Sequence, residues 1–141
     1  MRKGDKTYLF DTSAIFAFTD NEQGAQQVEK LLQDAAKQKL AIYFSAMSVM
    51  EAYSVTAQEL GQESANQIVS MLRSLPVTEL PLSDDLVLIA GDYKARHHIS
   101  VADAWIAATA KVHHLTLLHK DPEFEPLKEE LDLQELPYKR K

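Results

Sequence analysis

The stretch "TYLFDTSAIF", residues 7–16, decides how this chain is read. Four strand-forming residues, Thr7 to Phe10, run straight into an aspartate, and "DTS" then offers three good helix caps before a second apolar run. The same alternation continues along the chain. "AIYFS" (41–45), "PVTELPL" (76–82) and "LTLLH" (115–119) are three further strand candidates. Between the first two strands Val28, Leu31, Leu32 and Ala35 recur at helical spacing. Met50, Tyr53, Ile68, Val69 and Leu72 predict a pair of helices broken near Gly61, and Ser83 with Asp84 and Asp85 opens another that carries Leu86, Val87, Ala90 and Tyr93. "ISVADAWIAATA" (99–110) reads as a buried small-residue helix. Strands separated by helices predict an α/β fold, a mostly parallel sheet covered on both faces, because parallel neighbours need crossover connections. In such sheets function gathers at the carboxyl ends of the strands.

With 141 residues, the chain has the size of one domain, residues 1–141, with a basic tail at 138–141 expected to lie disordered. No apolar run approaches the roughly 20 residues that cross a bilayer, so no membrane association is expected. Asp5, Lys6 and Asp11 interrupt the apolar stretch near the N-terminus, which argues against a secretory signal and for a cytoplasmic protein. The absence of cysteine excludes disulfides, thiolate zinc sites and cysteine nucleophiles together. A net charge of −6 is the wrong sign for holding nucleic acid by bulk charge, so any such role needs local help. "YKARHH" (93–98) and the terminal "YKRK" (138–141) are the local basic runs, and both read first as solvated surface.

Four carboxylates fall at the predicted carboxyl edge. Asp11 leaves the first strand, Glu51 lies early in the helix after the second, Asp103 sits in the first turn of the 99–110 helix, and Asp121 follows the last strand. Each has a local explanation. Asp11 suits a helix cap, Ser48 and Glu51 spell a capping box, Ser100 and Asp103 spell an acidic version of one, and Asp121 precedes Pro122 as a turn residue. Their coincidence at one edge outweighs the local readings, since converging carboxylates repel one another unless a cation neutralises them. An all-oxygen pocket suits Mg²⁺ or Mn²⁺, with phosphoryl chemistry as its use.

In these motifs the chain resembles the PIN-domain ribonucleases, particularly the VapC-like toxins of toxin–antitoxin systems. "YLFDTSAIFAF" is similar to the family's first motif, with Asp11 as the acid and Ser13 as the neighbouring hydroxyl. "FSAMSVMEAY" is similar to the second, with Glu51 and, one turn earlier, Ser48. "ISVADAWIAATA" resembles the third, with Asp103, and "LLHKDPEF" the fourth, with Asp121 and Phe124. The resemblance implies a three-layer α/β/α sandwich around a mostly parallel sheet. It also implies Mg²⁺- or Mn²⁺-dependent endoribonuclease activity, a homodimer and a cognate antitoxin. The chain departs from the family at His119, where threonine or serine is usual, and at Trp105, where a smaller residue is usual.

The adjacent pairs His97–His98 and His113–His114 point different ways in helix or strand and read as surface; His119 alone is close enough to Asp121 to bear on metal or substrate. Lys94, Arg96 and Lys120 are candidates for phosphate contacts. Phe16, Phe18, Tyr43 and Phe44 read as core. Two rival readings stand beside the nuclease. One is an aspartate-based phosphatase or phosphotransfer domain using Asp11, weakened by Ser13 where a second aspartate is needed. The other is an inactive PIN-like module that binds RNA or protein.

Overall fold

A computed structural model describes residues 6–137. Five strands form one parallel sheet: β1 (Thr7–Phe10), β2 (Ala41–Ser45), β3 (Thr78–Leu80), β4 (Thr116–His119) and β5 (Leu133–Glu135). Their spatial order is β3-β2-β1-β4-β5. The connections are α1 (Thr12–Thr19), α2 (Ala25–Ala36), α3 (Ala46–Leu60), α4 (Gln62–Arg73), α5 (Val87–Arg96) and α6 (Val101–His113). Short 3₁₀ turns at Asp84–Leu86 and Pro122–Leu127 complete the chain.

Side chains alternate across a strand, so β1 feeds two cores. Tyr8 and Phe10 pack with Ile42, Phe44 and Leu118 against α1, α2, α3 and α4, where Ile15, Val28, Ala52 and Leu72 meet them. Leu9 and Leu117 face the other way, into Tyr93, Ile106, Ala107, Ala108 and Phe124. Helices therefore cover both faces of the sheet, as the alternation of elements predicts, and this gives the α/β/α sandwich. Ala104, Ala107 and Ala108 are at most 3% exposed, so α6 lies close against its neighbours.

Three local readings need correction. β5 is a fifth strand unseen in the sequence, because "LQE" is too short to show alternation. The helix expected from Ser83 begins as a 3₁₀ turn and becomes α-helical only at Val87. Ser45, not Ser48, caps α3, accepting the Met47 N–H at 3.1 Å. The tail at 138–141 lies outside the described residues.

The strand order reverses direction at β1. The chain steps from β1 outward to β2 and β3, then returns to lay β4 on the other side of β1. Crevices open at the carboxyl ends of strands beside such a reversal. Asp11 leaves β1 there, with its N–H donated to the Leu118 carbonyl of β4 at 2.9 Å, and Lys120 and Asp121 leave β4 beside it.

Candidate metal centre

Asp11 is 2% exposed and caps α1. Its Oδ2 accepts the Ser13 N–H at 3.0 Å and a short hydrogen bond from the Ser13 hydroxyl. Ser13 Oγ in turn accepts the backbone N–H of Lys120 at 2.8 Å, which ties the β1 exit to the β4 exit. Among the described residues nothing donates to the other carboxylate oxygen, Asp11 Oδ1, though it is buried.

Glu51 reaches the same edge from α3. Thr12 Oγ1 lies 2.6 Å from Glu51 Oε1 and 3.0 Å from the buried Ser48 Oγ. Thr12 has one proton and the carboxylate can only accept, so Thr12 donates to Glu51 and takes the proton of Ser48. Ser48 thus acts across the fold, through Thr12, and the capping box read from "SVME" does not form.

Around Asp103 the expected box is only half present. Ser100 Oγ accepts the Asp103 N–H at 3.0 Å, as an N-cap should. The reciprocal bond comes from elsewhere: the Ser100 N–H goes to Glu123 Oε1 at 3.0 Å. Asp103 is 6% exposed, and its Oδ2 is buried with no donor among the described residues. Asp121 caps the 3₁₀ turn that follows β4, its Oδ1 accepting the Glu123 N–H at 2.9 Å. One carboxylate oxygen each from Asp103, Asp121 and Glu123 lie within 4.8 Å of one another.

Burial, with the charges of neighbouring acids, raises the pKa values of Asp11 and Asp103. Burial lifts Asp11 from an ordinary value near 3.8 to about 6, against two hydrogen bonds from Ser13 and with help from the charges of Asp121 and Glu51. Asp103 rises to about 9, first through burial, then through the charge of Asp11, then through the adjoining Glu123 carboxyl group. Among the described residues no lysine or arginine makes a salt bridge to any of these acids. Crowded acids with two orphaned, buried oxygens fit a hard divalent cation, which takes oxygen ligands and removes the mutual repulsion.

The remaining candidate residues have other placements. Lys120 sends its ammonium to the Gln23 carbonyl at 3.0 Å and Glu22 at 3.4 Å, so it serves the edge through its backbone. The Arg96 guanidinium is taken by Asp92 at 2.8 Å and Glu130 at 2.5 Å. His119 is fully buried, tilted edge-on to Phe124 at 5.3 Å, and its Nδ1 accepts the Asp121 N–H at 3.2 Å. Burial lowers its pKa, and a neutral ring is what that acceptor role requires. It shapes the loop that carries Asp121 and does not line its surface. Thr12 and Glu123 escaped the sequence reading. Thr12 stood within "DTS" as a generic cap, and Glu123 follows Asp121 by two, a spacing that brings side chains together only in a tight turn.

A PIN domain family model matches residues 8–130. Among curated proteins no sequence matches the chain. Several solved structures share the fold. VapBC2 of Rickettsia felis, bound to a DNA fragment from its promoter, aligns with a TM-score of 0.73 at 16% identity, over 93% of this chain and 99% of that one. DNA-bound VapBC of Salmonella typhimurium gives 0.74 at 17%, over 92% and 98%. Mycobacterium tuberculosis VapC20, a sarcin-ricin loop cleaving toxin, gives 0.68 at 18%, over 84% and 93%.

Proposed function

The chain belongs to the PIN-domain family, and from that premise we propose that it is a divalent-metal-dependent endoribonuclease, the toxin of a toxin–antitoxin pair acting in the cytoplasm. The observation that carries this reading is the pair of buried oxygens, Asp11 Oδ1 and Asp103 Oδ2, that have no donor and face further acids. Asp11, Glu51, Asp103 and Asp121 form the metal-holding set. A bound Mg²⁺ or Mn²⁺ supplies an acidified water and charge to stabilise the leaving oxygen of a phosphodiester.

The chain's own contribution is position. Ser13, fixed by the Lys120 N–H, aims Asp11; Thr12, backed by Ser48, aims Glu51; the 3₁₀ turn aims Asp121. Asp11, Asp103 and Asp121 are held at the ends of regular elements and Glu51 in the second turn of α3, which keeps a constellation tighter than free loops do. Burial and the neighbouring acids favour the protonated form of Asp103 in the metal-free site, so metal uptake is expected to release protons.

The RNA substrate and the antitoxin partner are supported by the neighbours, one a sarcin-ricin loop cleaving toxin and another a toxin–antitoxin complex from Klebsiella pneumoniae. A homodimer is supported by the apolar surface of α5 and α6, where Val87 and Val101 are exposed beside Trp105; sedimentation of the purified protein tests it. The activity is tested by incubating the protein with total RNA and Mg²⁺, Mn²⁺ or EDTA and mapping the ends. New ends are expected with either ion, and none with EDTA or in Asp103→Asn. Cleavage that persists in both overturns the reading.

A further inference from the structure

Two acids compete for one backbone N–H at the start of α6. In a helix that opens Ser-x-x-Asp, the acid three residues after the cap reaches back to the cap's own N–H. Asp103 is in that position relative to Ser100. Yet the Ser100 N–H is held at 3.0 Å by Glu123 Oε1, from a turn 23 residues further along the chain. Asp103 instead leaves its Oδ2 buried and without a donor, within a group of oxygens contributed also by Asp121 and Glu123. Ser100 is exposed, so its N–H does not need Glu123 to be satisfied. What Glu123 decides is which acid takes it.

We propose that Glu123 is a positioning residue that caps α6 in place of Asp103 and thereby keeps the Asp103 carboxylate turned to the ion's side, within the acid group to which Glu123 also contributes an oxygen. Its backbone has a second part in the same arrangement, since the Glu123 N–H donates to Asp121 Oδ1 at 2.9 Å. One residue thus orients two acids that arrive from different elements, Asp103 through its carboxylate and Asp121 through its amide. This rests on the metal reading above and adds to it a separation of roles: Glu123 is needed for its hydrogen-bond acceptor, and its charge is dispensable.

Two variants separate acceptor from charge. Glu123→Gln keeps an oxygen at the same reach and removes the charge; Glu123→Asp keeps the charge and falls one methylene short of Ser100. Mg²⁺ and Mn²⁺ affinity is measured by calorimetry, and the Ser100 amide is followed by NMR in the metal-free protein. Glu123→Gln is expected to bind within about threefold of wild type with an unchanged Ser100 amide. Glu123→Asp is expected to bind about tenfold or more weakly, the usual cost of losing a residue that orients a metal ligand, with a shifted Ser100 amide. If Glu123→Gln loses as much affinity as Glu123→Asp, its charge is what matters and the proposal fails. It also fails if Glu123→Asp binds like wild type. Asp103→Asn is the control for the premise: undiminished affinity in that variant sinks the metal reading itself, whatever the Glu123 variants do.

Discussion

Replacing Asp11 with asparagine should make the metal-free protein more stable while removing its ability to hold metal. Asparagine caps a helix as well as aspartate does, and its oxygen can keep the two hydrogen bonds from Ser13. Its amide then puts a donor where Oδ1 has none, facing the charges of Asp121 and Glu51. The size of the gain follows from the acidity of Asp11, which stands at about 6 in the fold against an ordinary 3.8. At roughly 1.4 kcal/mol per tenfold change in acidity, an ionised Asp11 costs the metal-free fold about 3 kcal/mol at pH 7. The sign follows from proton binding. Between pH 3.8 and about 6 the folded protein holds a proton on Asp11 that the unfolded chain has lost, so wild-type stability falls as pH rises through that window. Asp11→Asn lacks this loss. In EDTA at pH 7 it should melt roughly 9 °C above wild type, taking about 3 °C per kcal/mol for a chain of this size. Below pH 3.8 the two should converge, and added Mg²⁺ should stabilise wild type alone. Thermal unfolding at pH 3.5, 5, 7 and 8, with and without Mg²⁺, reads all of this. A variant no more stable than wild type at pH 7 in EDTA, or equally favoured at pH 3.5, refutes the reasoning.

Thr12→Val removes the hydroxyl that holds Glu51 with almost no change of shape, and should weaken Mg²⁺ binding about tenfold, whereas Thr12→Ser should bind nearly as wild type. Calorimetry distinguishes them. Gly24 sits at φ +100° before α2, and an added Cβ would stand 3.2 Å from Leu136 Cβ. Gly24→Ala should therefore cost roughly 1–3 kcal/mol in urea unfolding, with metal affinity in the folded protein unchanged.

Much of the site was legible because its acids sit where local chemistry puts them. Asp11 directly follows an apolar strand and Asp121 comes two residues after another, so the end of each strand determines the edge they occupy, and Ser100 caps α6 as its letters suggest. The alternation of short β-branched runs with helical periodicity was enough for a parallel sheet covered on both faces, since side chains on one strand must feed two cores. A three-residue strand such as β5 carries no such pattern, and its place beside β4 is set by pairing, Leu117 to Leu133.

What the amino-acid order determined alone is therefore four of the five strands, the helices between them and the acids beside them, because periods of two and 3.6 residues and capping preferences act over a single turn. Only the tertiary structure decided the partners. Thr12 with Glu51 spans 39 residues, Ser100 with Glu123 spans 23, and Ser13 with the Lys120 amide spans 107. None of these pairings has a local signal, since each depends on how strands register and helices pack. That is why neither capping box spelled in the letters forms in full: Ser45 caps α3 in place of Ser48, and Glu123 takes the Ser100 N–H in place of Asp103.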